Sequence, residues 1–231
     1  NAQFDSDGDS TFAETNDHKK TLSSGAFTIS AKDTVAESLT FTATDPNSKT
    51  GTSSAVTSNP AAASKLTITQ QPSNTSAGQT INPALALRVE DQFGNLTSST
   101  ADVTVAIGTN PAGGTLSGTK TITAVSGVVT FTTLSINRVG SGYTLTASST
   151  GLTGATSSTF NVTAATLIAN ITADNKTCDG TAGATISSRT LTGVLDSDDV
   201  SLIGGTATFA DKNVGSGKSV TATGLSLSGS D

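Results

Sequence analysis

Between Lys65 and Ala164 the apolar residues fall on alternate positions in one short run after another, and this period of two is the tightest restriction on what the chain can fold into. Leu66 and Ile68, then Leu85, Leu87 and Val89, then Val103, Val105 and Ile107, then Val129 and Phe131, then Tyr143 and Leu145, then Phe160 and Val162 make up the apolar set. Thr, Ser, Arg88 and Glu90 fill the positions between them. Successive side chains of a strand point to opposite faces, so the pattern gives one buried and one wet face, as in antiparallel sheet. No helical periodicity longer than a turn interrupts it, and the fold class it implies is all-β.

Turn residues separate these runs about every dozen positions, which gives roughly seven strands in about a hundred residues, the pattern of an immunoglobulin-like β-sandwich. With 34% hydrophobic and 4% aromatic residues, each core must be thin and built from Val, Leu, Ile and Ala. Ser and Thr supply about a third of the chain, which suits solvent-facing strand positions because Thr is β-branched and still hydrogen-bonds to water. The formal net charge of -6, with 12 Lys and Arg scattered singly, offers no basic patch for phosphates, so nucleic acid is not an expected partner. No apolar run reaches the roughly 20 residues of a membrane helix. A single Cys makes no internal disulfide, which by itself fits a reducing compartment. The absence of Met and Trp, the Thr and Ser excess and the modular repetition point instead to a secreted bacterial surface protein.

The chain divides into three sections, 1–64, 65–164 and 165–231. The first repeats the end of the second: G-A-F-T-I-S at 25–30 matches G-V-V-T-F-T at 127–132, and L-T-F-T-A-T at 39–44 matches Y-T-L-T-A-S at 143–148. S-S-A-V-T at 53–57 stands where S-S-T-F-N-V-T stands later. An internal repeat is weighed before any motif. On this alignment the first section has no counterpart of 65–100, so it reads as a module without its opening strands and not stable alone. The third section continues with short alternating strands, Val200 with Leu202, Val220 with Ala222 and Leu225 with Leu227, broken by Asp-Gly, Gly-Gly and Gly-Ser-Gly turns.

Two resemblances follow from these residues. Through K-L-T-I-T-Q-Q-P-S-N-T-S-A-G, V-E-D-Q-F-G-N and G-S-G-Y-T-L-T-A, the section 65–164 resembles the bacterial Ig-like repeats of large invasin-type surface adhesins. Through N-K-T-C-D-G-T, L-T-G-V, D-D-V-S-L, F-A-D-K-N-V-G-S-G-K-S-V and G-L-S-L-S-G, residues 166–231 resemble the YDG repeat of long bacterial adhesins and filamentous exported proteins. Cys178 stands where that family usually carries Tyr, and the sequence stops before the family's final strand. The resemblance implies a non-enzymatic stalk or spacer, extracellular or at the bacterial cell surface. Its partners would be neighbouring modules, or other copies joined into a filament by strand addition, and a host or matrix ligand; no catalytic residue carries over. A ligand- or carbohydrate-binding adhesin module is the other reading.

Candidate chemical sites are few. Asp5, Asp7 and Asp9 alternate in D-S-D-G-D-S as carboxylates do in calcium loops, but the glycine is at the fourth place and no twelfth-position Glu follows, so a solvated acidic turn competes with a metal site. D-S-D-D at 196–199 reads first as a turn. His18 lies in the polar run N-D-H-K-K, in a different section from Cys178, so neither a Cys-His pair nor a Ser-His-Asp triad is readily assembled. Cys178 reads as a small strand or turn residue in the Tyr position. Tyr143 after G-S-G suggests a tyrosine corner. Lys65 and Asn161, on the first and last strands, are a candidate pair for an isopeptide cross-link. The loops 91–95 and 110–114 are where a ligand would be recognised through amides, since the chain lacks the aromatic platforms of carbohydrate sites. The sequons at Asn74, Asn95, Asn161, Asn170 and Asn175 are as many as this number of threonines would generate by chance.

Overall fold

The computed structural model describes residues 3–5, 20–21, 23–24, 27–195 and 198–229. Among them every regular element is a strand, so the chain is all-β. The opening section holds six short strands: β1 (Gln3–Asp5), β2 (Ser30–Lys32), β3 (Ser38–Leu39), β4 (Thr42–Thr44), β5 (Thr50–Thr52) and β6 (Val56–Thr57). The middle of the chain holds β7 (Ala63–Gln70), β8 (Thr75–Ser76), β9 (Leu85–Asp91), β10 (Asp102–Ile107), β11 (Leu116–Ser117) and β12 (Thr121–Thr123). It continues with β13 (Val128–Phe131), β14 (Ser135–Ile136), β15 (Gly140–Tyr143), β16 (Leu145–Ser148), β17 (Ala155–Thr156) and β18 (Phe160–Thr163). After these come β19 (Ile168–Ala173), β20 (Gly183–Ala184), β21 (Ile186–Thr192), β22 (Val200–Phe209) and β23 (Val220–Gly229).

The hydrophobic core belongs to the middle strands. Sheets ordered β13-β9-β7, β12-β10-β16-β17, β15-β18-β8 and β11-β14 turn their apolar faces into one cluster. Leu87, Val89, Val103, Ile136, Tyr143 and Leu145 are wholly buried in it. The alternating residues read from the sequence form its framework, with Ile68 and Ile107 packed half-buried at its margin. Ala77, Ile81, Leu116, Ala124, Leu134, Ile136 and Ala147 complete it. Several of these lie on two-residue strands or in connections, where a run is too short to show a period.

The repeat seen in the sequence is also a repeat of hydrogen bonds. In the opening section β3 pairs with β6, Leu39 opposite Val56, and β4 with β5, Thr42 opposite Thr52. In the middle section β15 pairs with β18, Tyr143 opposite Phe160, and β16 with β17, Thr146 opposite Thr156. Each pair is displaced by 104 positions (143 − 39 = 160 − 56 = 146 − 42 = 156 − 52 = 104). The same displacement carries the side-chain bonds: Ser53 Oγ accepts from the Phe41 N–H as Ser157 Oγ accepts from the Leu145 N–H. The opening section nevertheless buries little. Asp5 is its one buried residue among those described, and its visible aromatic contact is Phe4 on Phe41, centroids 5.5 Å apart.

The closing strands make two small sheets, β19-β21 and β20-β22-β23. Along β22 the inward side slips by one residue at its centre: Leu202 is buried, and then Ala207. Gly204, Gly205 and, opposite on β23, Gly224 have φ between +70° and +82°, the left-handed region in which a side chain is strained. The two glycine sites let both strands reverse faces together without losing register.

Candidate functional site

The polar chemistry of this chain is concentrated where sections meet, and it begins with Asp91. This residue ends β9, is fully buried, and gathers four N–H donors. Asn95 and Phe93 give backbone N–H bonds to Oδ1 at 2.9 Å each, while Ala61 N–H and the Asn95 side-chain amide reach Oδ2 at 2.9 Å each. Burial pushes the carboxyl pKa up, but the Asn95, Ala61 and Phe93 donors outweigh it and hold it at about 2. Asn95 in turn reaches back across the chain. Its Nδ2 donates to the Thr34 carbonyl at 2.8 Å, and its Oδ1 accepts the Ala36 N–H at 3.0 Å. The loop expected to meet a ligand through its amides uses them inside the molecule, to fasten the opening section to the core. Asn110 is likewise closed on its own loop, accepting from the Gly114 N–H and donating to the Gly114 carbonyl.

A second fastening joins the core to the closing strands. Leu195 packs against the core cluster beside Gly78. Gly78 has φ +73°, and a Cβ built on it would stand 2.1 Å from a Leu195 methyl, so glycine is required there both for the turn and for the close approach. Next to this contact lies a cleft of about 570 Å³ with Asn137, Arg138 and Val139 on one wall and Leu195, Val200 and Leu227 on the other.

A third set of bonds ties the start of the core to its end. Strand β8 lies parallel to β18, Thr75 opposite Val162 and Ser76 opposite Thr163. The Ala77 N–H donates to the Thr163 carbonyl at 2.8 Å, the Asn161 N–H to Asn74 Oδ1 at 2.8 Å, and the Ser158 N–H to Gln71 Oε1 at 2.9 Å. Thr163 Oγ1 adds a bond to the Thr75 carbonyl at 3.2 Å. Parallel bonds also link β7 to the loop before β17, from the Leu66 N–H to the Thr153 carbonyl and from the Thr153 N–H to the Ser64 carbonyl, both 2.8 Å.

The remaining candidates are not brought together. Lys65 Nζ stands 3.9 Å from Glu90, whereas Asn161 Oδ1 accepts the Gly142 N–H, so the proposed cross-link partners face different groups. Tyr143 does make the expected corner: its hydroxyl donates to the Arg138 carbonyl, five residues upstream, at 3.0 Å, and burial raises its pKa. Asp5 sits on β1 opposite Ser30; Asp7, Asp9 and His18 lie outside the described residues. Among the described residues no three His, Cys, Asp or Glu side chains converge as a metal site would need. Of the D-S-D-D turn, Asp196 and Ser197 also lie outside them, and the Asp198 N–H closes on the Leu195 carbonyl. Cys178 is exposed, its Sγ 3.8 Å from the Lys212 carbonyl. It borders a hollow of about 700 Å³ beside two ion pairs, Lys176 with Asp179 and Lys218 with Asp211. Those lysines hold both carboxyl pKa values down.

The closing section, with Cys178-Asp179-Gly180 between its first two strands and the long β22–β23 hairpin at its end, can now be compared with known proteins. Residues 162–231 are a YDG domain. The domain takes in the last residues of β18, so the strand that closes the core also leads directly into it. No curated protein matches the chain. Among matching solved structures is a β-glycosidase from Bacteroides vulgatus, aligned over 70% of this chain at 13% identity with a TM-score of 0.38; this chain spans 21% of that one.

Proposed function

We propose that this chain is a load-bearing spacer of a bacterial cell-surface adhesin or extracellular filament, non-enzymatic and secreted, with the section 65–164 as an Ig-like module. The observation that carries the reading is the parallel pairing of β8 with β18. The polypeptide enters the core through β7, which is bonded along β9, runs on into β8 and leaves the core through β18. When two parallel strands are pulled from the entry of one and the exit of the other, they slide along each other. Their bonds then bear the load together, whereas a hairpin pulled at its open end loses bonds one at a time. The Asp91–Asn95 and Leu195–Gly78 contacts pass the load to both neighbouring sections, as expected of an array in which each module touches the next.

Pulling the whole chain by its ends in single-molecule force spectroscopy tests this. Opening of 65–164 releases about 100 residues, a gain on the order of 330–360 Å at 3.3–3.6 Å per residue, and it is expected to be the highest-force event. The double substitution Asn74→Ala, Thr163→Val removes two clamp acceptors or donors and is expected to lower that force while leaving the event's length unchanged. A 65–164 event at the same force with and without the substitutions would refute the clamp.

A further inference from the structure

The hollow beside Cys178 lies wholly within the YDG domain, between two internal loops. One is 174–182, leading from β19 to β20, and the other is 210–219, the turn from β22 to β23. Each loop is fixed by its own lysine. Lys176 Nζ donates to Asp179 Oδ1 at 2.8 Å and to Thr181 Oγ1 and the Gly183 carbonyl at 2.9 Å each, which uses all three of its protons. Lys218 Nζ closes on the Asp211 carboxylate and, at 3.1 Å, on the Asp211 carbonyl, while the Asn213 N–H reaches the same carboxylate at 2.7 Å. The Cys178 thiol bridges the loops, its Sγ 3.8 Å from the Lys212 carbonyl. A volume of about 700 Å³ between walls held in this way has the size of a small-molecule site.

The groups left over decide what such a site can recognise. Ile171, Phe209 and Val220, all half-buried, give it an apolar lining. Asp174 lines it from the first loop and Lys212 from the second. Among the described residues neither the Asp174 carboxylate nor the Lys212 ammonium has a hydrogen-bond or ion-pair partner. A phosphate-like anion would find only Lys212 uncommitted. A divalent cation would find only Asp174, and no three ligating side chains converge among the described residues. An uncharged apolar molecule would leave both charges unused. We infer that the hollow binds a short zwitterionic peptide of about two residues, its ammonium on Asp174, its carboxylate on Lys212 and an apolar side chain against Phe209 and its neighbours. An extended dipeptide spans roughly 7 Å at 3.3–3.6 Å per residue, which suits two charges on facing loops that do not pair with each other. The site goes beyond the spacer reading and shares no residue with the β8–β18 clamp, so each stands or falls without the other.

The test uses the full chain and the dipeptide L-Ala-L-Phe, followed by proton–nitrogen correlation spectra. Saturable shifts confined to 171–181 and 209–220 are expected, with a Kd on the order of 0.1–1 mM, as a ligand of this size attains. N-acetyl-Ala-Phe lacks the ammonium and Ala-Phe amide lacks the carboxylate. Each is expected to bind about three- to fivefold more weakly, the effect of a largely exposed ion pair. Asp174→Asn should weaken Ala-Phe by that factor and leave N-acetyl-Ala-Phe unchanged, and Lys212→Gln should weaken Ala-Phe while leaving the amide unchanged. Cys178→Phe puts a ring into the hollow and should abolish binding. Should that variant lose its β-sheet circular dichroism spectrum, the two charge variants, at exposed positions, make the test. No saturation by about 10 mM, shifts centred elsewhere on the chain, or equal binding of the capped and free peptides would each overturn the site.

Discussion

Leu87→Ala probes whether the middle sheets share one core. Leu87 lies on β9, the central strand of its sheet, opposite Ile68 on one side and Val129 on the other, and is wholly buried. Truncation removes three carbons, about 2.4 kcal/mol at ~0.8 per buried methylene. A cavity held open by two flanking strands raises the total to roughly 3–4 kcal/mol, within the range for buried Leu→Ala changes. For a unit of about a hundred residues that is a drop in Tm of roughly 12–30 °C. The chain supplies its own reporters. Tyr143 is the only tyrosine, with no Trp beside it, and Cys178 is the only thiol, so tyrosine fluorescence follows the core while a dye on Cys178 follows the YDG domain. In urea the tyrosine transition is expected to move to lower midpoint with unchanged slope, as a pure stability change requires. The Cys178 transition should move by less than about 1 kcal/mol, because Leu87 contributes to the core alone and surface-like sites seldom exceed such values. Val214→Ala, at a residue 87% exposed, serves as the control and should move neither. A shift below about 1 kcal/mol at Tyr143, or one no larger than the control's, would refute a single shared core.

Three further outcomes are expected. Asp91 has its pKa held at about 2 in the folded chain against 3.8 for the free side chain; a depressed carboxyl stabilises above the unfolded value and loses that contribution as pH falls through the folded one. The tyrosine-monitored stability should therefore decline between about pH 4 and pH 2, and Asp91→Asn should remove most of that slope, since Asp179 and Asp211 act in the other domain. Asn95→Ala severs the bonds to Thr34 and Ala36 and the side-chain donor to Asp91 Oδ2; the core should lose about 1.5–3 kcal/mol through the bond to the buried carboxylate, while limited proteolysis between residues 36 and 61 quickens several-fold. Gly78→Ala forces a side chain into the left-handed region and against Leu195; the tyrosine-monitored core transition should fall by about 1–3 kcal/mol, with the Cys178-monitored transition moving less.

What was legible in the sequence was whatever repeats along one strand. Leu85, Leu87 and Val89, or Val103 and Val105, announce a buried face because each strand is covered on one side and wet on the other. Ile81, Leu134 and Ile136 are as deeply buried yet sit beside connections and two-residue strands, where no period can register. The joints were less legible still. D-Q-F-G-N reads as a turn, and nothing in it reveals that Asn95 will find the backbone of Thr34 and Ala36, 61 and 59 positions away, because a bond to main chain leaves no mark on the partner's side chains. The clamp has the same character: Gln71 and Asn74 act through side-chain amides on the backbone of Ser158 and Asn161.

The 104-residue displacement turns the two joints into a comparison. Residues 33–36, which receive Asn95, correspond to 137–140, and Asn137, Arg138 and Val139 form one wall of the cleft facing the YDG domain. The same end of the repeat thus meets a different neighbour each time. Where another repeat unit follows, the joint is polar and reads the main chain, and the buried carboxylate of Asp91 holds the reading loop in shape. Where the YDG domain follows, the join is an apolar plug, Leu195 on Gly78, set beside an open cleft. Hydrogen bonds demand alignment in distance and angle, whereas the attraction between a leucine and the apolar surface it covers is non-directional. The first joint is therefore expected to be the stiffer, and relaxation of spin-label distances across 36–95 should be narrower than across 78–195; the reverse order would mean that contact chemistry does not govern how this chain bends.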